Sequence, residues 1–204
     1  MNTHRIIGIA GGTGSGKTWL GNFLASRLGP RAALISHDWY YRDRGNARGE
    51  AERKLNFDHP RALETGMLAG HLDALRRGRA VETPRYDFSS HRRARRTVAF
   101  HPAPIVIVEG LFVLHEKPLL RRLDLSIYVD VPADVRLLRR LRRDAAERAI
   151  PTEETLRLYE TFARPMHERF VETSAGCAHH IWRPLRDRDF PRRILREIQQ
   201  LIPS

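Results

Sequence analysis

The chain alternates short apolar runs with longer segments in which apolar residues return every three or four positions. Apolar runs at 4–10, 32–36, 104–109, 125–130 and 178–182 predict strands. In Ile6-Ile7-Gly8-Ile9-Ala10 and Ile105-Val106-Ile107-Val108 the apolar positions are consecutive, the pattern of a strand buried on both faces. Helical periodicity predicts helices over 17–28, 61–77, 116–122, 133–148, 152–171 and 188–201. Strands alternating with helices imply an α/β fold with a parallel sheet covered on both faces, and ligands then bind at the carboxyl ends of the strands. Two segments break the alternation. Residues 39–60 are long and polar, with Tyr40, Tyr41, Arg42, Arg44 and Arg48 near their start; so long a loop is usually functional or disordered. Residues 79–103, between Gly78 and the prolines Pro102 and Pro104, predict a β-hairpin excursion. No repeat and no Gly-, Ser- or Pro-rich linker divides the chain, so residues 1–204 are expected to form a single domain.

Between the first strand and the first helix stands Gly11-Gly12-Thr13-Gly14-Ser15-Gly16-Lys17-Thr18. Gly11, Gly16, Lys17 and Thr18 satisfy G-x-x-x-x-G-K-[ST], and strand, loop, helix is the context in which that pattern binds phosphate. Glycines let the backbone curl so that successive N–H groups face anionic oxygens, and the helix dipole adds to the field. In such a loop Lys17 reaches the terminal phosphates and the Thr18 hydroxyl ligates Mg²⁺.

Composition sharpens this reading. Of the 36 basic side chains 33 are Arg and 3 are Lys, and one of those three is Lys17. A forked guanidinium is a poor substitute for the compact charge this loop needs. The net charge of +12 raises nucleic acid or a membrane surface as partners. Arginine spread along the whole chain reads instead as ordinary solvated faces, so neither partner is expected. Cys177 is the single cysteine, which excludes an intrachain disulfide and fits a reducing compartment. With no signal pattern and no run of 18 apolar residues, a cytoplasmic protein is expected.

Other residues carry chemistry. Asp38 follows the second strand at the ligand edge of the sheet, where it can accept the proton of an attacking hydroxyl or simply cap a turn. Glu109 ends the apolar strand 104–109 and precedes Gly110. A charge there is costly unless it serves a metal such as Mg²⁺. Residues 134–148 place Arg136, Arg140 and Arg143 on one helical face, with Arg139, Arg142 and Arg148 in the same run. They form either a lid over a triphosphate or a solvated basic face. Phe57-Asp58-His59-Pro60 and Tyr86-Asp87-Phe88-Ser89-Ser90-His91 combine aromatic faces with carboxylates, which suits a planar base and its ribose. His179 and His180 have no partner at metal-ligand spacing and read as structural.

Taken together and in this order, Gly11–Thr18, His37-Asp38-Trp39-Tyr40-Tyr41, Asn56-Phe57-Asp58-His59-Pro60, Tyr86-Asp87-Phe88 with His91, Glu109-Gly110 and Asp134 to Arg148 resemble the uridine (uridine–cytidine) kinases of the P-loop kinase superfamily. The resemblance runs from residue 5 to about 185. It implies a three-layer α/β/α P-loop NTPase fold with a five-stranded parallel sheet, an acceptor-binding loop, helix and hairpin over 39–103, and arginine-rich lid helices over 134–171. It also implies ATP (or GTP) as donor, Mg²⁺, a nucleoside acceptor and a homo-oligomer. Asp38 then corresponds to the base that activates the 5′-hydroxyl, and Thr18 and Glu109 to Mg²⁺ ligands. Asp58, with Tyr41 nearby, corresponds to the ribose-hydroxyl acceptor. Phe57, Tyr86 and Phe88 correspond to the walls of the base pocket, His91 to the reader of the pyrimidine edge, and Arg140, Arg143 and Arg148 to the phosphate-facing lid.

Two positions depart from the family pattern: Ile150 stands where an Arg is expected and Leu158 where a Gln is expected. Lost donors relax or redirect recognition. Phosphorylation of uridine or cytidine is therefore the leading expectation. A kinase acting on pantothenate or a sugar phosphate is the alternative, and a nucleic-acid-associated ATPase a more distant one.

Overall fold

The computed structural model describes residues 4–43, 56–88 and 90–202; Arg44, Arg48 and Ser89 lie outside them. Strand β1 (Arg5–Gly11) leads through the glycine loop into α1 (Lys17–Leu28), and β2 (Ala32–Ser36) follows. Helix α2 (Thr65–Arg76) precedes four short strands, β3 (Val81–Thr83), β4 (Tyr86–Asp87), β5 (Arg92–Arg93) and β6 (Val98–Phe100). Then come β7 (Ile105–Glu109), α3 (Lys117–Leu120), β8 (Leu125–Val129) and α4 (Ala133–Arg148). Helices α5 (Thr152–Leu158) and α6 (Arg164–Met166), strand β9 (His180–Trp182) and helix α7 (Phe190–Gln200) complete the order.

Five strands form one parallel sheet in the order β2-β7-β1-β8-β9. Alternation along each strand divides its side chains between two cores. Ile7, Ile9, Ile105, Ile107 and Ile127 pack with Leu20 and Leu24 of α1 and Ile194 and Ile198 of α7. Ile6, Ala10, Val106 and Val108 pack on the other face with Leu68 and Leu72 of α2 and with Phe112. The result is the expected three-layer α/β/α sandwich. Register decides what meets at the upper edge. Ser36 pairs with Glu109, and Ile9 pairs with Glu109 from the other side, so β2 and β1 bring their carboxyl ends to the same carboxylate.

Several expected boundaries move for local reasons. The 61–77 helix begins at Thr65, because Pro60 opens a separate 3₁₀ turn whose first N–H, from Arg61, is accepted by His59 Nδ1 at 3.1 Å. The 79–103 excursion resolves into two antiparallel ladders, β3 with β6 and β4 with β5. The 152–171 helix is not a uniform α-helix. It widens into π-helical turns at Tyr159–Ala163 and His167–Val171 on either side of α6, and ends in a 3₁₀ segment, Glu172–Cys177. Pro165, inside this run, has no N–H to donate, and shifted hydrogen bonding around it accommodates the gap.

Candidate active site

The glycine loop adopts backbone that side chains resist. Gly14 and Gly16 have φ of +74° and +97°, the left-handed region that Gly enters freely. At Gly14 a Cβ would also strike the Arg136 carbonyl oxygen. Gly16 caps α1 without any side-chain acceptor, so the amino end of the helix is left to attract anions. Lys17 is only 8% exposed.

Beside it, Glu109 is 3% exposed. Thr18 Oγ1 donates to its Oε2 at 3.1 Å, and Ser36 Oγ donates to its Oε1 at 2.7 Å. Burial raises the Glu109 pKa, Lys17 opposes the rise and Asp38 adds to it. The Ser36 hydroxyl also accepts from the Asp38 backbone N–H at 3.3 Å, fixing the first turn of the 3₁₀ segment His37–Tyr40. Asp38 Oδ1 is buried without a hydrogen-bond partner. The Thr18 and Ser36 hydroxyls and the Glu109 carboxylate meet at this edge beside Asp38, an oxygen set that fits a hard cation such as Mg²⁺. Among the described residues no group of three or more His, Cys, Asp or Glu could hold a metal by itself. Mg²⁺ takes one or two carboxylates and completes its shell with phosphate and water.

Above this edge lies a cleft of about 120 Å³. Thr13, Lys17, Asp38 and Asp58 line its charged side, with Arg140, Arg143 and Arg148 of α4 facing them. Arg140 Nη1 stands 3.7 Å from Asp58 Oδ1. Burial raises the Asp58 pKa, with Arg140 as the main opposing influence. Tyr41, Phe57, Phe88, His91, Ile150, Leu158 and Phe162 form the aromatic and aliphatic side. Tyr41 donates to the Phe57 carbonyl at 3.0 Å and so orients the Phe57–Asp58 segment. Its hydroxyl pKa is pushed up by burial first, then by Asp38 and Asp58. The His91 ring stacks on Phe57 with centroids 5.0 Å apart, and its backbone is left-handed at φ +53°. Tyr86 touches Tyr41, Phe57 and Phe88 from behind and does not line the cleft.

Two features were not visible in the sequence pattern. Arg136 does not share the cleft with Arg140 and Arg143. Its buried guanidinium lies against Gly12, beside His167, and Nε donates to the Val131 carbonyl at 3.0 Å. A cavity of about 600 Å³ lies on that side, between α4, the 159–175 helical run and β9. A second cavity of about 480 Å³ opens at the amino end of α1, lined by Ser15, Gly16, Trp19, Arg139, Trp182, Pro184, Arg188 and Pro191. Trp19 and Trp182 stack on each other at its wall, with ring centroids 5.9 Å apart. A tryptophan just after the loop lysine was the available signal for it. The His pair makes unrelated contacts: His179 Nδ1 lies 2.7 Å from Ser126 Oγ, and His180 Nε2 lies 3.0 Å from Glu197 Oε1. Among the described residues no helix is long and apolar enough to cross a membrane.

Known proteins resemble this chain in sequence and in fold. A protein named uridine kinase from Staphylococcus epidermidis is 45% identical over 173 residues, covering 84% of each chain. One of the same name from Staphylococcus carnosus is 46% identical over 179 residues, covering 87% of this chain and 86% of its own. Among solved structures, a putative fructose transport system kinase from Silicibacter sp. TM1040 superposes with a TM-score of 0.70 at 21% identity, covering 88% of this chain and 89% of its own. A possible uridine kinase from Bacillus stearothermophilus gives 0.64 at 18% identity, covering 88% of each; both support the fold. The Phosphoribulokinase / Uridine kinase family matches residues 6–191, and the chain belongs to that family.

Proposed function

We propose that this chain is a kinase that transfers the terminal phosphate of a nucleoside triphosphate, ATP or GTP, to the 5′-hydroxyl of uridine or cytidine. The observation that carries the reading is one cleft joining a buried, unpartnered Asp38 oxygen to the glycine loop on one side and to an aromatic wall on the other. The relatives named uridine kinase support the acceptor. Asp38 takes the proton of the 5′-hydroxyl as that oxygen attacks. Lys17, the loop N–H groups and Arg140, Arg143 and Arg148 hold the phosphates in line. Thr18 and Glu109 hold Mg²⁺, which neutralises charge on the donor phosphates. Asp58 binds the ribose hydroxyls, Phe57 and Phe88 flank the base, Tyr86 supports them, and His91 reads the base edge. The Trp19–Trp182 cavity takes the donor base by stacking.

The same reading holds the chain to be a single catalytic domain, with residues 39–103 serving the acceptor and 134–171 the lid. It acts in the cytoplasm as a homo-oligomer, with no nucleic acid or membrane partner. A second reading, another alcohol acceptor, is favoured by Ile150 and Leu158, which give the cleft wall apolar groups and no hydrogen bonds to a base. ADP release with Mg-ATP decides between them, measured with uridine, cytidine, adenosine, pantothenate, ribulose 5-phosphate and no acceptor. Turnover confined to uridine and cytidine is expected. Silence with both, and turnover with another alcohol, establishes the second reading.

A further inference from the structure

Within the arginine-rich helix α4 one carboxylate is almost completely enclosed: Asp144 is 1% exposed. Its Oδ1 accepts from Arg143 Nε at 3.0 Å and from Arg143 Nη2 at 2.8 Å. Its Oδ2 accepts from Arg140 Nε at 3.3 Å, and Arg148 Nη1 lies 3.7 Å from Oδ1. These are the three arginines of the cleft, and Asp144 lines the cleft with them. The same residue closes the helix. Its carbonyl accepts from the Ala149 N–H and, at 3.0 Å, from Ile150 N–H, where Ala149 turns left-handed at φ +52°. Non-glycine residues hold that conformation only where the surroundings impose it.

We infer that Asp144 is a positioning residue for phosphoryl transfer: it gathers Arg140, Arg143 and Arg148 into one preset cluster that receives the donor phosphates. The inference rests on the kinase reading above. Three guanidiniums this close, mostly buried, repel one another, and a carboxylate among them offsets much of that repulsion while leaving the cluster net positive. Arg140 engages Asp144 through Nε and Asp58 through Nη1, and Arg148 engages Asp144 through Nη1 with its guanidinium over the Phe88 ring, so each keeps a further nitrogen to offer a ligand. Asp144 also repels phosphate, so its net effect is a contest. Organisation wins, because without the carboxylate at least one arginine must leave the cluster to regain solvent. A donor group displaced by about an ångström forfeits much of its catalytic effect. Asp58, the other acid within reach of Arg140 at 3.7 Å, pairs with one arginine only.

Two variants test this. Asp144→Asn keeps the shape and removes the charge. Asp144→Glu keeps the charge and moves it outward by one methylene. Positioning predicts that both bind ATP about tenfold more weakly by calorimetry without acceptor. Both also lose about 30- to 100-fold in kcat, while the acceptor KM stays within about threefold. If only Asp144→Asn is affected, Asp144 merely balances charge and the inference fails. It fails equally if ATP affinity is unchanged or tighter, or if activity per folded molecule is normal. Should Asp144→Asn not fold, Asp144→Glu alone decides on the same two readouts. Calorimetry needs no acceptor, so absence of uridine turnover in the unaltered protein would overturn the acceptor assignment and leave this test standing.

Discussion

Ser36 Oγ donates a 2.7 Å hydrogen bond to Glu109 Oε1 and accepts one of 3.3 Å from the Asp38 N–H. One hydroxyl therefore ties the carboxylate proposed for the metal to the turn that carries the proposed base. Thr18 closes the chain from the glycine loop at 3.1 Å. The parallel pairing of Ser36 with Glu109 across β2 and β7 makes this geometry a property of the sheet. Ser36→Ala removes a bond that favours the ionised carboxylate, so the Glu109 pKa, already raised by burial, rises further. The acid limb of kcat/KM should move to higher pH, with about 1–3 kcal/mol lost in stability from the unpaired acceptor. A pH–rate profile unchanged from the parent protein would refute the link.

In the proposed mechanism, Asp38 is the side chain on which turnover depends most directly. Asp38→Asn keeps the size and the Ser36 contact to the backbone N–H while removing the proton acceptor. General-base loss should lower kcat by about 10²- to 10⁴-fold and leave ATP affinity within about threefold. Single-turnover kinetics alongside calorimetry separates the two. A variant that binds ATP poorly and still turns over would place the base elsewhere.

How much of this was legible in the chain depended on whether the signal was local. The glycine loop was legible because the backbone geometry at Gly14 and Gly16 demands glycine, and demand of that kind leaves a spaced pattern. The sheet was legible because β1, β7 and β8 are buried on both faces. The π-helical turns around Pro165 were not, since apolar periodicity does not distinguish a slightly widened helix from a regular one. What Arg136 meets was not legible, because a helical face says which residues lie together and not what they pack against. Four residues from Arg140, it meets the glycine loop instead of the cleft. The place of Asp144 does leave a mark in the chain: an acid with arginines one and four positions before it and four after.

The cavity proposed for the donor base makes a separable prediction. Trp182 is 5% exposed and stacks on Phe190 at 5.7 Å as well as on Trp19, whose own ring is 56% exposed. Trp182→Ala would damage the core, so Trp19→Ala is the cleaner probe. Loss of one stacking face worth about 0.5–1.5 kcal/mol should raise the KM for ATP by about 3- to 10-fold. Acceptor KM should not change, and Tm should shift little. A rise in uridine KM with none for ATP would assign the cavity to something other than the donor.

Stability against acid should depend on His37. The ring is fully buried against Gly110, with Nε2 3.2 Å from Thr65 Oγ1, and burial lowers its pKa to about 3. An unfolded histidine takes up a proton near pH 6.5, so the unfolded chain binds the proton first. The contribution of a neutral His37 is complete above that pH and is lost progressively as pH falls toward about 3. His167, lowered to about 4 mainly by burial, acts in the same direction. Asp58 and Glu109, whose pKa values burial raises, act in the opposite one, since protonation relieves their desolvation. The net slope is therefore a poor readout, and the difference between two proteins is the useful one. Between pH 6.5 and 4.5 a single such histidine accounts for about 2 kcal/mol. His37→Leu, which cannot titrate, should start less stable at neutral pH because Thr65 loses its partner, and should then lose about 2 kcal/mol less than the parent across that interval. Urea unfolding at the two pH values measures this, and parallel losses in parent and variant would show that His37 is not the group that takes up the proton.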